Sequence, residues 1–293
     1  MSDNLRGAVW ILASCLAATV MVIGVRGLAV DMHSMQIAFA RSVIGLAIVL
    51  PIVAARGRAH FRTRRWRLHL VRGLMGVVAL NCGFYAISQL PLATVTVIFF
   101  TAPLFVTLFA VPLLGETVGW RRWSATGVGF LGTMVVIQPG SAGFEPTMLF
   151  AVLSSLMFAL ILIMGKKLST TESPHTMMLY AGAIMSVGCL PPALIVWSPP
   201  SPVEILLMLV VAVFGTLRSY TDIRGYATGE ASFVAPFQYV RIILAAVAGY
   251  VLFFEVPDAN ALAGASVIIA STLYIAQRER RIGRAVGARA LDE

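Results

Sequence analysis

The chain has 293 residues, 59% of them hydrophobic and 12% charged, with a mean hydropathy of +0.88. Soluble domains carry about a quarter charged residues, which excludes an ordinary water-soluble globular protein. The net charge of +9 does not mark a nucleic-acid-binding face, because the basic residues come in bursts between apolar runs, as the positive-inside rule requires.

Apolar runs of membrane-crossing length follow one another along the chain, each near the roughly 20 residues that a spanning helix needs. They predict an all-α polytopic membrane protein with ten transmembrane helices: Gly7–Val25, Gln36–Val53, His69–Ile87, Ala93–Leu114, Trp123–Ile137, Met148–Gly165, Met177–Trp197, Val203–Tyr226, Ala231–Phe254 and Ala259–Ala276. Within the first, Leu12-Ala13-Ser14-Cys15 resembles a lipoprotein cleavage box. The apolar stretch before the box is too short for a signal core and the run continues to Val25, so it reads as a retained span. The eighth run is unusual. Its apolar part ends at Leu217, and Arg218, Asp222 and Arg224 follow.

Charge sets the orientation. Arg56, Arg58, Arg62, Arg64, Arg65 and Arg67 follow the second span, Arg121 and Arg122 the fourth, and Lys166 and Lys167 the sixth. Arg278, Arg280, Arg281, Arg284 and Arg289 lie in the C-terminal tail. With ten spans all of these fall on one side, and the opposite loops hold Arg26 alone. Both termini are therefore expected in the cytoplasm, with the chain in a bacterial-type inner membrane.

The halves resemble one another. Trp10, Ser14 and Cys15 match Phe150, Ser154 and Ser155, and the run after them ends at Arg26 in one half and Lys166 in the other. The fourth span ends at Gly115-Glu116 and the ninth at Phe254-Glu255, an offset near 139 residues (116 to 255). This spacing predicts two inverted five-helix repeats, 1–143 and 144–293, because an odd number of spans makes the second unit enter from the other side. Inverted repeats are a transporter architecture with the site near the midplane.

These residues resemble the drug/metabolite transporter superfamily, EamA-type. The resemblance rests on the two Glu-terminated spans, on Thr126-Gly127 through Gly132, on Leu90-Pro91-Leu92-Ala93, and on the run from Gly229 through Pro236 and Tyr239 to Arg241. It covers nearly the whole chain and implies two five-helix repeats and metabolite transport by alternating access. Among its branches the chain is most similar to the YddG-like amino-acid exporters, so the expected function is a secondary transporter or facilitator for small amino-acid-like metabolites, as an exporter. The alternatives are import or export of another metabolite such as S-adenosylmethionine, and, from a different class, an intramembrane enzyme or receptor-like scaffold. No nucleophile–base pair or carboxylate pair in the spans favours an enzyme.

Arg241 is the sharpest candidate. A charge in the middle of a span costs roughly 2.5–3.5 kcal/mol on translocon scales, so it should face a wet cavity or a partner. Its planar fork suits a carboxylate. A structural Arg paired with Asp222 is an equal alternative. Helical spacing puts Phe237 and Gln238 on its face and sends Tyr239 elsewhere. The other substrate-facing candidates are Asn81 with Tyr85 on the third span, Phe99 and Phe100 on the fourth, Trp10 with Ser14 on the first, and Ser154 with Phe150 on the sixth. For any one aromatic among them ordinary helix packing is the simpler reading. Pro103 and Pro236 interrupt the two equivalent spans and serve as gating hinges or as plain kinks. Arg218 and Asp222 are four apart and suit an ion pair. Asp222 is also the visible proton-coupling candidate. Arg41, near the outer end of the second span, is expected to snorkel outward.

No cofactor and no metal are expected. Cys15, Cys82 and Cys189 lie in apolar runs, and they and the four histidines lack ligand spacing. Gly127, Gly129 and Gly132 match a dinucleotide fingerprint, but inside a span they read as close helix packing. The expected partners are a small-molecule substrate of amino-acid type and the lipid bilayer. No nucleic acid is expected, and a homo-oligomer is left open.

Overall fold

The computed structural model describes residues 3–55, 57, 61–115, 119–141, 143–228, 235–271 and 273–274. Arg56, Arg58, Glu116, residues 229–234 and the arginines of the C-terminal tail lie outside them, as does the side chain of Pro236. The described residues are helical throughout, with no strand.

In chain order the helices are α1 (Asp3–Leu28), α2 (Ser34–Ala55), α3 (Trp66–Gln89), α4 (Leu92–Phe99), α5 (Ala102–Leu114), α6 (Trp120–Ile137), α7 (Thr147–Ser169), α8 (Pro174–Ile195) and α9 (Pro202–Thr228). A 3₁₀ helix (Ala235–Tyr239), α10 (Val240–Phe253) and α11 (Ala259–Ser271) follow. Seven segments are long and apolar enough to cross a membrane: α1, α2, α3, Leu92–Leu114, α7, α8 and Pro202–Gly225. Trp123–Ile137, Phe237–Phe253 and Ala259–Ser271 are shorter apolar helices. Apolar side chains lie outward, Val187 being 72% and Ile243 64% exposed, as expected where lipid replaces water.

Two predicted spans differ from plain helices. The fourth breaks at Phe100–Thr101. Pro103 has no amide hydrogen to give the Phe99 carbonyl, and its ring crowds that carbonyl. The Ser155 hydroxyl on α7 donates to the freed Phe99 carbonyl at 3.3 Å. Thr101 donates to the Ile98 carbonyl at 2.7 Å and bonds Ser155 at 2.8 Å. The break is thus a satisfied structure, and Pro103 opens the second piece from its first turn. The ninth predicted span changes from 3₁₀ to α geometry at Tyr239–Val240. Arg241 is therefore in the first turn of α10, not in the middle of a continuous helix. The eighth span is continuous to Thr228, so Arg218, Asp222 and Arg224 stay helical beyond its apolar part.

Packing pairs α1 with α9, α3 with α7, α2 with α8 and α4 with α10. Helices α6 and α11 meet through glycines: a Cβ on Gly264 would lie 2.2 Å from a Val136 methyl and 2.6 Å from the Gly132 carbonyl. The Gly129 and Gly132 fingerprint residues take part in the same close packing, against Leu104, Ser271 and Val267.

One end of the bundle is tightly sealed. Leu28, Ile87, Leu90 and Leu92 are all but inaccessible there. Arg26 Nη2 pairs with Glu255 Oε1 at 3.0 Å, and Arg26 Nη1 donates to the carbonyls of Ile87 and Ser88. Glu255 Oε2 accepts the Leu92 amide at 2.7 Å, capping α4. An acidic cap complements the helix dipole and satisfies an orphan amide. At the other end the segment before α3 is tied to the α7–α8 turn: Thr63 donates to Glu172 at 2.5 Å and Arg65 to the Lys167 carbonyl at 3.1 Å.

Candidate binding site at the helix breaks

The polar centre of the molecule forms where α1, α2 and α9 meet the start of α10. Serine and cysteine are small enough to let α1 and α9 approach closely. Ser14, fully buried, donates to Asp222 Oδ1 at 2.5 Å. Asp222 Oδ2 lies 3.8 Å from Arg218 Nε, one turn earlier on α9, so the expected i,i+4 ion pair is present. The Cys15 thiol faces the backbone carbonyls of Phe237 and Gln238 at 3.5 and 3.7 Å. These lie in the 3₁₀ segment, close to its junction with α10.

Arg241 lies against the Cys15 thiol. Its Nε and Nη2 are buried with no hydrogen-bond partner among the described residues. The alternative in which Asp222 satisfies Arg241 is not what the geometry shows, since Asp222 is engaged by Ser14 and Arg218. Arg218 interacts electrostatically with Arg241, Asp222 and Arg41. Arg41 corrects an expectation. It does not snorkel outward: its Nε is buried, and its guanidinium packs over Gly215 of α9, where a Cβ would lie 3.1 Å from Nε. Gly215 leaves the room that draws the guanidinium inward.

The chain changes geometry at Tyr239–Val240, just before Arg241. Phe237 packs on Ile11 and Cys15 of α1. Tyr239 stacks on Phe100 at a centroid distance of 5.1 Å, joining the two breaks across the molecule. The Phe99 ring tip would lie 3.6 Å from a Cβ on Gly83.

Other candidates lie apart from Arg241. Asn81 donates to the Val77 carbonyl at 2.8 Å and to Cys189 Sγ at 3.3 Å, facing α8. Tyr85 packs edge-on against Phe150 at 5.0 Å. Trp10 meets Tyr220 edge-on at 6.2 Å, with Arg224 over its ring at 5.7 Å. Ser154 donates to the Ala79 carbonyl at 2.7 Å. No group of three or more metal-ligating side chains exists among the described residues. Sequence reasoning did not bring Arg218 together with Arg41 and Arg241. The usable signal was their presence in otherwise apolar runs, where a charge faces the bundle interior.

An all-helical bundle of apolar segments, broken within two of its spans and with a buried guanidinium beside one break, has the make-up of a polytopic membrane protein. The EamA-like transporter family matches residues 5–138 and again residues 145–277, and the chain belongs to that family. It is 31% identical over 281 residues to an S-adenosylmethionine uptake transporter of Rickettsia prowazekii (strain Madrid E), covering 96% of each chain. It is 30% identical over 285 residues to a riboflavin transporter of Vibrio cholerae (serotype O1, strain El Tor Inaba N16961), again covering 96% of each. A crystal structure aligns with a TM-score of 0.64 at 18% identity, over 93% of this chain and 98% of that one, and shows the same fold. The relatives are small-metabolite transporters, and this chain is a multi-pass membrane protein of that kind.

Proposed function

We propose that the chain is a secondary transporter that takes up an S-adenosylmethionine-like metabolite through a bacterial inner membrane. Relatives of this activity at 31% identity over 96% of both chains support that substrate over the amino-acid export expected from the YddG-like resemblance. The observation that carries the site is Arg241, whose buried Nε and Nη2, beside a helix break, lack an acceptor among the described residues. A carboxylate completes that fork bidentately. S-adenosylmethionine ends in an amino-acid carboxylate, whereas riboflavin has none, so the geometry favours the former. Asp222 supplies negative charge for the ammonium and sulfonium groups. Phe99, Phe100 and Tyr239 offer ring faces for the base.

Matching contacts in the two halves support ten spans in two inverted repeats, 1–143 and 144–293. Cys15 of α1 faces the Gln238 carbonyl, and Ser155 of α7 donates to the Phe99 carbonyl. Residue 155 is 15 shifted by 140, and 238 is 99 shifted by 139. Phe100 and Tyr239, also 139 apart, stack on each other. The pairing of α1 with α9 corresponds to that of α7 with α3. Pro103 and Pro236 then stand at equivalent breaks and act as hinges, with the sealed end facing the exterior and both termini in the cytoplasm. Asp222, held by Ser14 and Arg218, serves as a fixed charge in preference to a proton carrier.

The test is uptake into proteoliposomes of labelled S-adenosylmethionine, riboflavin and a panel of amino acids. Saturable uptake of S-adenosylmethionine, competed by unlabelled compound and not by riboflavin, is expected. Transport of an amino acid alone would return the reading to amino-acid export.

A further inference from the structure

Among the described residues, the polar centre holds more positive charge than its own side chains neutralise. Arg41 of α2 packs over Gly215 of α9, one turn before Arg218, and Arg218 interacts electrostatically with Arg41, with Arg241 of α10 and with Asp222, the carboxylate beside it among the described residues. Arginine does not give up its proton in proteins. Among the described residues, three guanidinium charges thus meet one carboxylate charge. That carboxylate is already engaged: Oδ1 accepts from Ser14, and Oδ2 lies beside Arg218 at 3.8 Å. The other neighbours are neutral. Cys15 on α1 lies against Arg241, Cys189 on α8 interacts with Arg41, and Asn81 turns its amide nitrogen toward Cys189. Met21 and Gly215 complete the wall at Arg41. Meanwhile Arg41 Nε and Arg241 Nε and Nη2 are buried without an acceptor among the described residues.

Buried charges without a partner are strongly unfavourable, and most of all inside a membrane. We propose that the carrier without substrate holds a small inorganic anion of the chloride type among Arg41, Arg218 and Arg241, and that the substrate carboxylate displaces it. Arg41 and Arg218 thereby become positioning residues for the anionic end of the substrate as well as Arg241. The displacement rests on the carboxylate-recognition reading above; the anion site itself does not.

The experiment uses the purified full chain in detergent, with chloride exchanged for gluconate at constant ionic strength. Two quantities are measured: the melting temperature without substrate, and the apparent Kd for S-adenosylmethionine. The melting temperature is expected to rise and saturate with chloride, as for any ligand that binds the folded state alone. The apparent Kd should rise in proportion to chloride, roughly tenfold when chloride reaches about ten times its own Kd. Arg41→Gln should flatten both dependences, and Arg41→Lys should retain part of them. The wild-type chloride dependence decides the matter even if Arg41→Gln does not fold. Equal melting temperatures and equal affinities in chloride and gluconate overturn the proposal. Stabilisation by chloride with unchanged substrate affinity overturns the displacement. Stabilisation by chloride in a protein that does not bind S-adenosylmethionine leaves the anion site standing and sinks the substrate assignment instead.

Discussion

At the scale of single residues, Arg241 and Arg26 show opposite solutions to a charge in an apolar protein. Arg26 is fully answered: a carboxylate and two backbone carbonyls surround it. This accounts for the one basic residue on the predicted outer side, since a paired Arg is retained for its contacts. Arg241 instead keeps two buried nitrogens without an acceptor among the described residues. If these nitrogens hold a substrate carboxylate, Arg241→Lys keeps the charge and loses the fork, so transport per folded molecule should fall in the order wild type, Lys, Ala. Truncating one partner of a buried charge pair costs roughly 2–5 kcal/mol, so the Ala variant should lose about thirtyfold or more of its transport rate at low substrate. Its melting temperature and membrane yield should stay near wild type. A purely structural Arg241 predicts the reverse, with a lower melting temperature and transport that tracks the amount of folded protein. Size-exclusion yield alongside uptake separates the two.

At the scale of elements, the break between α4 and α5 rests on one proline and on the hydroxyl that answers it. Ser155→Ala would leave the Phe99 carbonyl without its donor and Thr101 without a partner on α7. Leaving such a buried group unsatisfied costs about 1–3 kcal/mol, so melting should shift downward. Pro103→Ala acts differently, because an alanine can continue the helix through Phe100. Uptake should drop while thermal stability is kept or raised. Full uptake by Pro103→Ala would show that the break is a packing detail and not a hinge.

At the scale of the whole molecule, orientation and driving force are open to measurement. Reporter fusions after Ala55, Lys167 and Glu293 should report cytoplasm, and one within Ser141–Glu145 should report exterior. A single reversal would break the ten-span topology and the inverted repeat with it. S-adenosylmethionine carries one carboxylate, one ammonium and one sulfonium, hence a net charge of about +1 at neutral pH. A membrane potential is worth roughly 2.3 kcal/mol per elementary charge per 100 mV. An inside-negative diffusion potential of that size should therefore raise accumulation of the substrate in proteoliposomes with no pH gradient. Uptake that ignores the potential and follows an imposed proton gradient would move Asp222 back to a coupling role.

What was legible in the chain alone were quantities that repeat over many residues. Apolar run length named the solvent as lipid. The bursts of arginine between runs predicted an orientation, and the offset near 139 residues aligned Trp10, Ser14 and Cys15 with Phe150, Ser154 and Ser155. The Arg218–Asp222 pair was legible too, because four residues is one helical turn. Those signals are local or periodic, so they survive without coordinates. The make-up of the polar centre was not legible, because its residues come from separate helices: Ser14 and Cys15 from α1, Arg218 and Asp222 from α9, Arg41 from α2 and Arg241 from α10. The tertiary structure alone decided that Arg41 turns inward, since the space for it is the missing side chain of Gly215 on another helix. It alone showed Arg241 at the start of α10 after a 3₁₀ segment, and not in the middle of a continuous helix. A charge in an apolar run announces that it needs a partner, but which partner depends on how helices distant in sequence pack.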